Sequence, residues 1–337
     1  MIGMQSLSIL IYHRVLAERD PLLPGVPDAD RFERHMRVLK RFFHVMPLTT
    51  AVRHLRHGTL PARALCITFD DGYADNATLA LPILKRHGLP ATFFIATSYL
   101  DGGQMWNDDI IDYIRQAPAG RLDFSMIGQG WMPGFTPVQK RLAVDQILMR
   151  LKYLPFAERQ TMAERLAPPR RQPLMMSTGQ VRALLAAGME VGAHTHRHPI
   201  LAALTDAEAQ ADIADGKAAL EAITGQRVTL FAYPNGKPSG QPAGEPGAEP
   251  IGEPRGEPVS HLLADYTPRH VEMVRALGFE AALSTVAGTA GLGSDLWQLP
   301  RYTPWQQDSP RFLMRLLLSR YHENVRRRAL LPPAHGG

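Results

Sequence analysis

The chain has 337 residues, 45% of them hydrophobic and 20% charged, an ordinary soluble composition long enough for one to three domains. Its formal charge of +5 comes without aromatic-interleaved basic clusters, so nucleic-acid binding gets little support. No uncharged apolar stretch approaches the ~20 residues needed to cross a bilayer, and a single cysteine, Cys66, excludes an internal disulfide framework and fits a reducing, cytoplasmic compartment.

The opening "MIGMQSLSILIYHRV" lacks a basic n-region and is broken by Ser8, so it reads as a first strand and not as a signal peptide. "DADRFERHMRVLKRFF" follows as a helix, with Phe32, Met36, Leu39 and Phe43 at helical spacing. "ALCITFDDG" is a strand that buries Cys66 as an inert thiol, "NATLALPILKRHG" a helix closed by Gly88, and "PATFFIAT" a strand. Residues 105–176 are poorly periodic and read as a helical elaboration over one face. Then "STGQVRALLAAG" is a helix, "MEVGAHT" a strand, "TDAEAQADIADGKAALEAITG" a long helix and "VTLFAYP" a strand. Residues 238–260 carry a Glu-Pro repeat at 245–246, 249–250, 253–254 and 257–258, which forbids helix and central strand and has no apolar face to bury, so a disordered loop is expected. "TPRHVEMVRALG" and "FEAALST" add a last helix and strand. The basic and apolar "RFLMRLLLSRYHENVRRR" is a helix that packs on the rest of the domain or, alternatively, touches an anionic membrane surface peripherally.

Alternation of this kind argues for a parallel α/β sheet or barrel, whose functional groups gather at the strands' C-terminal ends. Asp71-Gly72, His194-Thr195 and Pro234-Asn235-Gly236 all fall at such ends. Adjacent carboxylates, Asp70 and Asp71, at the end of an apolar run need a positive partner, because burying unpaired charge costs several kcal/mol. "GAHTHRHP" offers His194, His196 and His198. Two imidazoles and one carboxylate make a three-ligand Zn²⁺ site with an open position, and the cation makes the paired carboxylates tolerable. The other carboxylate is then available to take a proton from a water that the metal acidifies. Neighbouring strand residues point to opposite faces, so both converge only where the strand breaks, which Gly72 permits.

These residues resemble the polysaccharide deacetylase family, the chitin- and peptidoglycan-deacetylase-like carbohydrate esterases, and most of all its exopolysaccharide-deacetylase branch. The likeness rests on "TFDDG" at 68–72, "HGLPATFFI" at 87–95, "HTHRH" at 194–198 and "FAYPNG" at 231–236, in family order. It implies a distorted (β/α) barrel with fewer than eight strands, a catalytic domain over residues 1–312, and a basic helix and tail over 313–337. It also implies Asp70 as general base, Asp71, His194 and His198 as ligands of one divalent metal ion, and hydrolysis of an N-acetyl group from an amino sugar of a polysaccharide or lipid-linked glycan. Where many members carry an arginine that orients the base, Ala232 stands here, and Arg301 in "QLPRYTP" is the candidate replacement. The family's late histidine block is missing, so His13 in "YHRV" is the candidate general acid. Asn235 matches a position whose backbone N–H serves an oxyanion hole. Tyr233, Trp106 and Trp297 are further candidate substrate contacts, the tryptophans as walls of a sugar subsite, whereas His196 is expected to face away. Two competing functions are amidase or deformylase work on a non-glycan amide, and glycan binding by a degenerate site.

Overall fold

The computed structural model describes residues 6–167, 173–239, 264–304 and 309–329. In chain order the strands are β1 (Ser6–Tyr12), β2 (His44–Val45), β3 (Ala64–Phe69), β4 (Thr92–Ile95), a hairpin of β5 (Arg121–Asp123) and β6 (Trp131–Pro133), β7 (Glu190–Ala193), β8 (Leu230–Ala232), β9 (Ala281–Leu283) and β10 (Ala290–Gly291). The main sheet runs β10-β1-β3-β4-β7-β8-β9, with β2 also paired to β3. Every pairing in it is parallel except β10 on β1. The sheet curls, and one short segment links β9 to β1: Leu299 pairs with Leu283 of β9, and Tyr302 pairs with Leu10 of β1. This is the parallel α/β arrangement that the alternating pattern suggested and the distorted barrel that the family resemblance implied, with seven strands along its path and β2 paired off it.

Period-two alternation sorts the strand residues into two cores. On β3, Ala64 and Cys66 join Leu7, Ile9, Phe94, Leu230 and Leu283 in the barrel interior. Leu65, Ile67 and Phe69 face outwards, under helices α1 (Ala29–Phe42), α3 (Leu81–His87), α7 (Thr178–Ala186) and α8 (Asp206–Thr224). Burial pushes the Cys66 thiol well above its ordinary pKa, as an inert core cysteine requires. At the N-terminal end of the barrel, α2 (Leu48–His57) begins after Pro47 with no side-chain cap of its own. Glu190 supplies one, accepting from Leu48 N at 2.7 Å and Thr49 N at 3.2 Å and also from the Thr49 and Thr92 hydroxyls.

The elaboration contains α4 (Trp106–Gln116), the β5–β6 hairpin, α5 (Pro137–Lys152) and α6 (Phe156–Leu166) around a separate core of Ile110, Phe124, Ile147 and Leu151. The hairpin is a local addition to a segment whose sequence reads as helical. Helix α9 (Pro268–Ala276) precedes β9, and α10 (Ser309–Ala329) lays Phe312 and Leu316 on the outer core, Phe312 stacking on His35 at 4.0 Å. The Glu-Pro repeat lies outside the described residues. At its flanks Pro238 bridges Tyr266, and Lys237 N donates to Asp265 at 3.0 Å, so the chain leaves and re-enters the domain at adjacent points.

Candidate active site

Alternation carries Thr68 and Asp70 to the interior face, directly above Cys66. Asp70 N still donates to Tyr12 O at 2.9 Å, but Asp71 turns left-handed (φ 76°) and Gly72 follows at φ 94°. The strand break therefore begins at Asp71 itself, one residue before the glycine the sequence points to, and it aims the second carboxylate back over the same rim. A non-glycine residue rarely adopts this conformation, and such strain concentrates at functional sites.

The end of β7 is bent in the same way. His194 continues the strand, then Thr195 (φ 64°) and His198 (φ 53°) are both left-handed. Two features of α8 hold this turn. Buried Asp212 accepts from the N–H groups of His196 and Arg197, each at 2.9 Å, and from Arg197 Nε at 2.6 Å. Gly216 lets the helix press against the turn, since a Cβ there would lie 2.4 Å from the Thr195 carbonyl carbon. Sequence reasoning missed both, because each acts on backbone that is remote in the chain.

Asp71, His194 and His198 present ligand atoms within 4.8 Å of one another. Asp71 Oδ1 is 3.4 Å from His194 Nε2 and 3.3 Å from His198 Nε2. His194 Nδ1 donates to Ala232 O at 2.7 Å, which leaves Nε2 as the lone-pair nitrogen facing the carboxylate. Asp71 Oδ1 is buried and has no hydrogen-bond partner. A buried carboxylate oxygen with no donor, between two imidazole nitrogens, fits a divalent cation. Burial works against the Asp71 charge, yet the two histidines hold its carboxyl well below the usual range. Burial pushes His198 down to about 3, towards the neutral form that binds metal, whereas the charges of Asp70 and Asp71 overcome burial at His194 and raise it.

Asp70 meets a different partner. Arg301, 1% exposed, lies on the segment that closes the barrel and pairs bidentately with it, Nη1–Oδ1 and Nη2–Oδ2 both 2.7 Å. The guanidinium is itself fixed by Ser284 O at 2.9 Å and Thr68 Oγ1 at 3.3 Å. Burial alone would raise the Asp70 carboxyl, but Arg301 and then His194 hold it below its ordinary value. The arginine sought in place of Ala232 thus pairs with Asp70, reached from a strand edge and not from β8.

The remaining candidates separate. His13, exposed on the loop after β1, is close enough for its charge to act on Asp70 and Asp71. Asn235 follows β8 in a left-handed turn (φ 60°), and no hydrogen bond among the described residues uses its N–H. Trp106 starts α4, its ring 5.0 Å from the Arg159 guanidinium, whose charge also reaches His198. Two expectations are corrected. Alternation turns Tyr233 outwards, fully buried and stacked on Tyr266 at 3.9 Å, so it is a core residue. Trp297 donates to Phe279 O, which precedes β9, and so lies at the barrel end away from Asp71, His194 and His198. His196 bonds Thr97 Oγ1 at 2.9 Å, away from the cluster as expected.

Residues 57–243 match the sequence profile of the polysaccharide deacetylases. The chain belongs to that family. A stretch of 92 residues is 34% identical to the Bacillus subtilis (strain 168) protein YxkH, whose name assigns it to the polysaccharide deacetylases. That match covers 27% of this chain and 32% of YxkH, so it spans about a third of the relative's length. Among solved structures, the Streptococcus pyogenes deacetylase PplD, determined with acetate, superposes with a TM-score of 0.58 at 17% identity over 93% of this chain and 98% of its own. IcaB from Ammonifex degensii gives 0.57 at 19% identity over 92% and 97%. At these identities the likeness speaks for the fold, which the two proteins share with this deacetylase family member over nearly its whole length.

Proposed function

We propose that this polysaccharide deacetylase is a metal-dependent hydrolase that removes N-acetyl groups from amino sugars of a polysaccharide or lipid-linked glycan. The observation that carries the reading is the pairing of two unlike carboxylates on one rim, Asp70 held bidentately by Arg301 with one lone pair on each oxygen still free to accept, and Asp71 with an oxygen left for a cation. Asp71, His194 and His198 would hold the ion, and the donor set suits Zn²⁺. When bound, the cation supplies Lewis-acid polarisation of the amide carbonyl and acidifies the attacking water.

This chain's own residues do the rest. Asp70 stays ionised beside Arg301 and takes a proton from the water, as a general base whose orientation the bidentate pair restricts to one plane. The Asn235 N–H is the backbone donor to the oxygen that becomes negative. His13 delivers a proton to the leaving nitrogen, so that the C–N bond breaks and acetate and a free amine depart. Trp106 is retained as an apolar wall for the sugar.

Acetate release from N-acetylated amino-sugar oligomers by zinc-loaded protein tests the reading, with elemental analysis alongside. About one ion per chain, lost in His194→Ala and His198→Ala together with acetate release, is the expected result. Formate release from N-formyl substrates without acetate release would turn the reading to a deformylase, and full metal retention in both variants would remove the ligand assignment.

A further inference from the structure

The segment that carries His13 is held in an unusual way. Strand β1 ends at Tyr12, and from there the backbone has left the sheet while the His13 side chain stands exposed at the rim. Its backbone is gripped from one neighbouring stretch, the continuation of the "DDGYADN" run. Asp70 N donates to Tyr12 O at 2.9 Å. Asn76 Nδ2 donates to His13 O at 2.9 Å. Asp75 accepts from Val15 N at 3.1 Å and from Arg14 Nε at 2.8 Å, and is itself bridged by Asn76 Nδ2 at 3.1 Å. The Arg14 guanidinium also lies over the Tyr73 ring at 4.7 Å. Residues on both sides of His13, and His13's own carbonyl, are therefore tied to the seven residues that begin with the base.

Asn76 is fully buried, and it opens a wide five-residue π-turn, Asn76–Ala80, ahead of α3. Such turns are rare and recur at functional sites. Helix initiation does not need a carboxamide whose donors are spent on a loop from another strand. The Asp75 carboxylate satisfies Arg14 and Val15, but among the described residues it is the Asn76 carboxamide that donates to the His13 carbonyl.

We propose that Asn76 is a positioning residue for His13: its carboxamide, braced by Asp75, sets where the imidazole stands relative to Asp70. The inference rests on the reading of His13 as the proton donor. A proton donor displaced by about 1 Å loses on the order of 10²-fold in rate, so loosening one backbone anchor falls on turnover and leaves the ligands and substrate binding alone.

The test is a double-mutant cycle of Asn76→Ala and His13→Ala, with kcat, KM and metal content measured on an N-acetylated amino-sugar oligomer. Asn76→Ala should lower kcat by about 10- to 100-fold with KM and metal content unchanged. In the His13→Ala background the same change should cost no further activity, because the group it positions is gone. Losses that multiply in the double variant overturn the positioning role while leaving His13 in place. Wild-type turnover in His13→Ala overturns both the donor reading and this inference, and so separates the two failures. Asn76→Ser, too short to reach His13 O, is run in parallel; loss of the folded state in both Asn76 variants would make Asn76 a folding residue and overturn the proposal.

Discussion

The two ends of the barrel each carry a carboxylate beside a strand terminus, and the two are built oppositely. At the N-terminal end Glu190 accepts from two backbone N–H groups and two threonine hydroxyls, and its backbone is ordinary strand. At the C-terminal end Asp71 has a buried oxygen with no donor and a left-handed backbone. One arrangement spends every lone pair on stability and leaves nothing to bind. The other leaves lone pairs open at a cost in strain and desolvation that the proposed cation would offset. The difference shows how one fold separates its stabilising face from its reactive face with the same chemical group.

The largest effect that would break this contrast lies in the aspartate pair. Asp70→Asn should keep the metal yet lose ~10²–10⁴-fold in turnover, the usual contribution of a general base, whereas Asp71→Asn should lose metal as well. Equal metal content in the two variants, by elemental analysis, would mean that the carboxylates do not divide the work.

Arg301→Lys sharpens the role of the closing segment. A lysine cannot reproduce the bidentate fork, so turnover should fall by roughly 10-fold or more. The pH dependence has a definite sign. With Arg301, the Asp70 carboxyl is held below its ordinary value, so the ion pair's stabilisation is present above the unfolded carboxylate pKa and is lost as pH falls through the depressed one. With lysine, burial is less well opposed, and the acid limb of the pH–rate profile should move to higher pH. A profile that stays in place would detach Arg301 from the base.

At the other end, Glu190→Gln should lower stability by about 1–3 kcal/mol, because an amide nitrogen cannot accept from the N–H groups that start α2. Its kcat, measured on the folded fraction, should match the parent. A variant that melts normally but turns over slowly would erase the distinction between the two ends. The smallest effect is expected from deleting residues 240–258. The flanks are already stapled at Pro238–Tyr266 and Lys237–Asp265, and added loop length costs little entropy. Thermal melting and turnover near those of the parent are expected, and a large drop in either would show that the repeat contributes contacts.

The barrel and the clustering of Asp71, His194 and His198 were legible because both are written locally. Strand residues alternate, helices end at Gly88 and Gly188, and Asp71, His194 and His198 sit beside strand ends that periodicity alone marks. Arg301 was legible only through an absence: a family arginine is missing at Ala232, and something had to replace it. The two residues read wrongly, Tyr233 and Trp297, have side chains suited to sugars but face the outer core and the far end of the barrel, and composition cannot report which end a residue occupies. Asp212, Gly216, Asn76 and Glu190 were not legible at all. Each acts on the backbone of a distant segment, so nothing in its own neighbourhood marks it.

By itself, then, the order of residues determined the hydrophobic period, the strand and helix sequence, and which carboxylates and imidazoles stand at one rim, because those follow from spacing along a single chain segment. Only the closed barrel decided which aspartate is paired with an arginine and which is left open. That choice depends on Arg301 arriving from a segment more than two hundred residues away along the chain and on Ala232 O orienting His194. Such partners are set by how strands lie beside one another, a property of packing that no local pattern encodes.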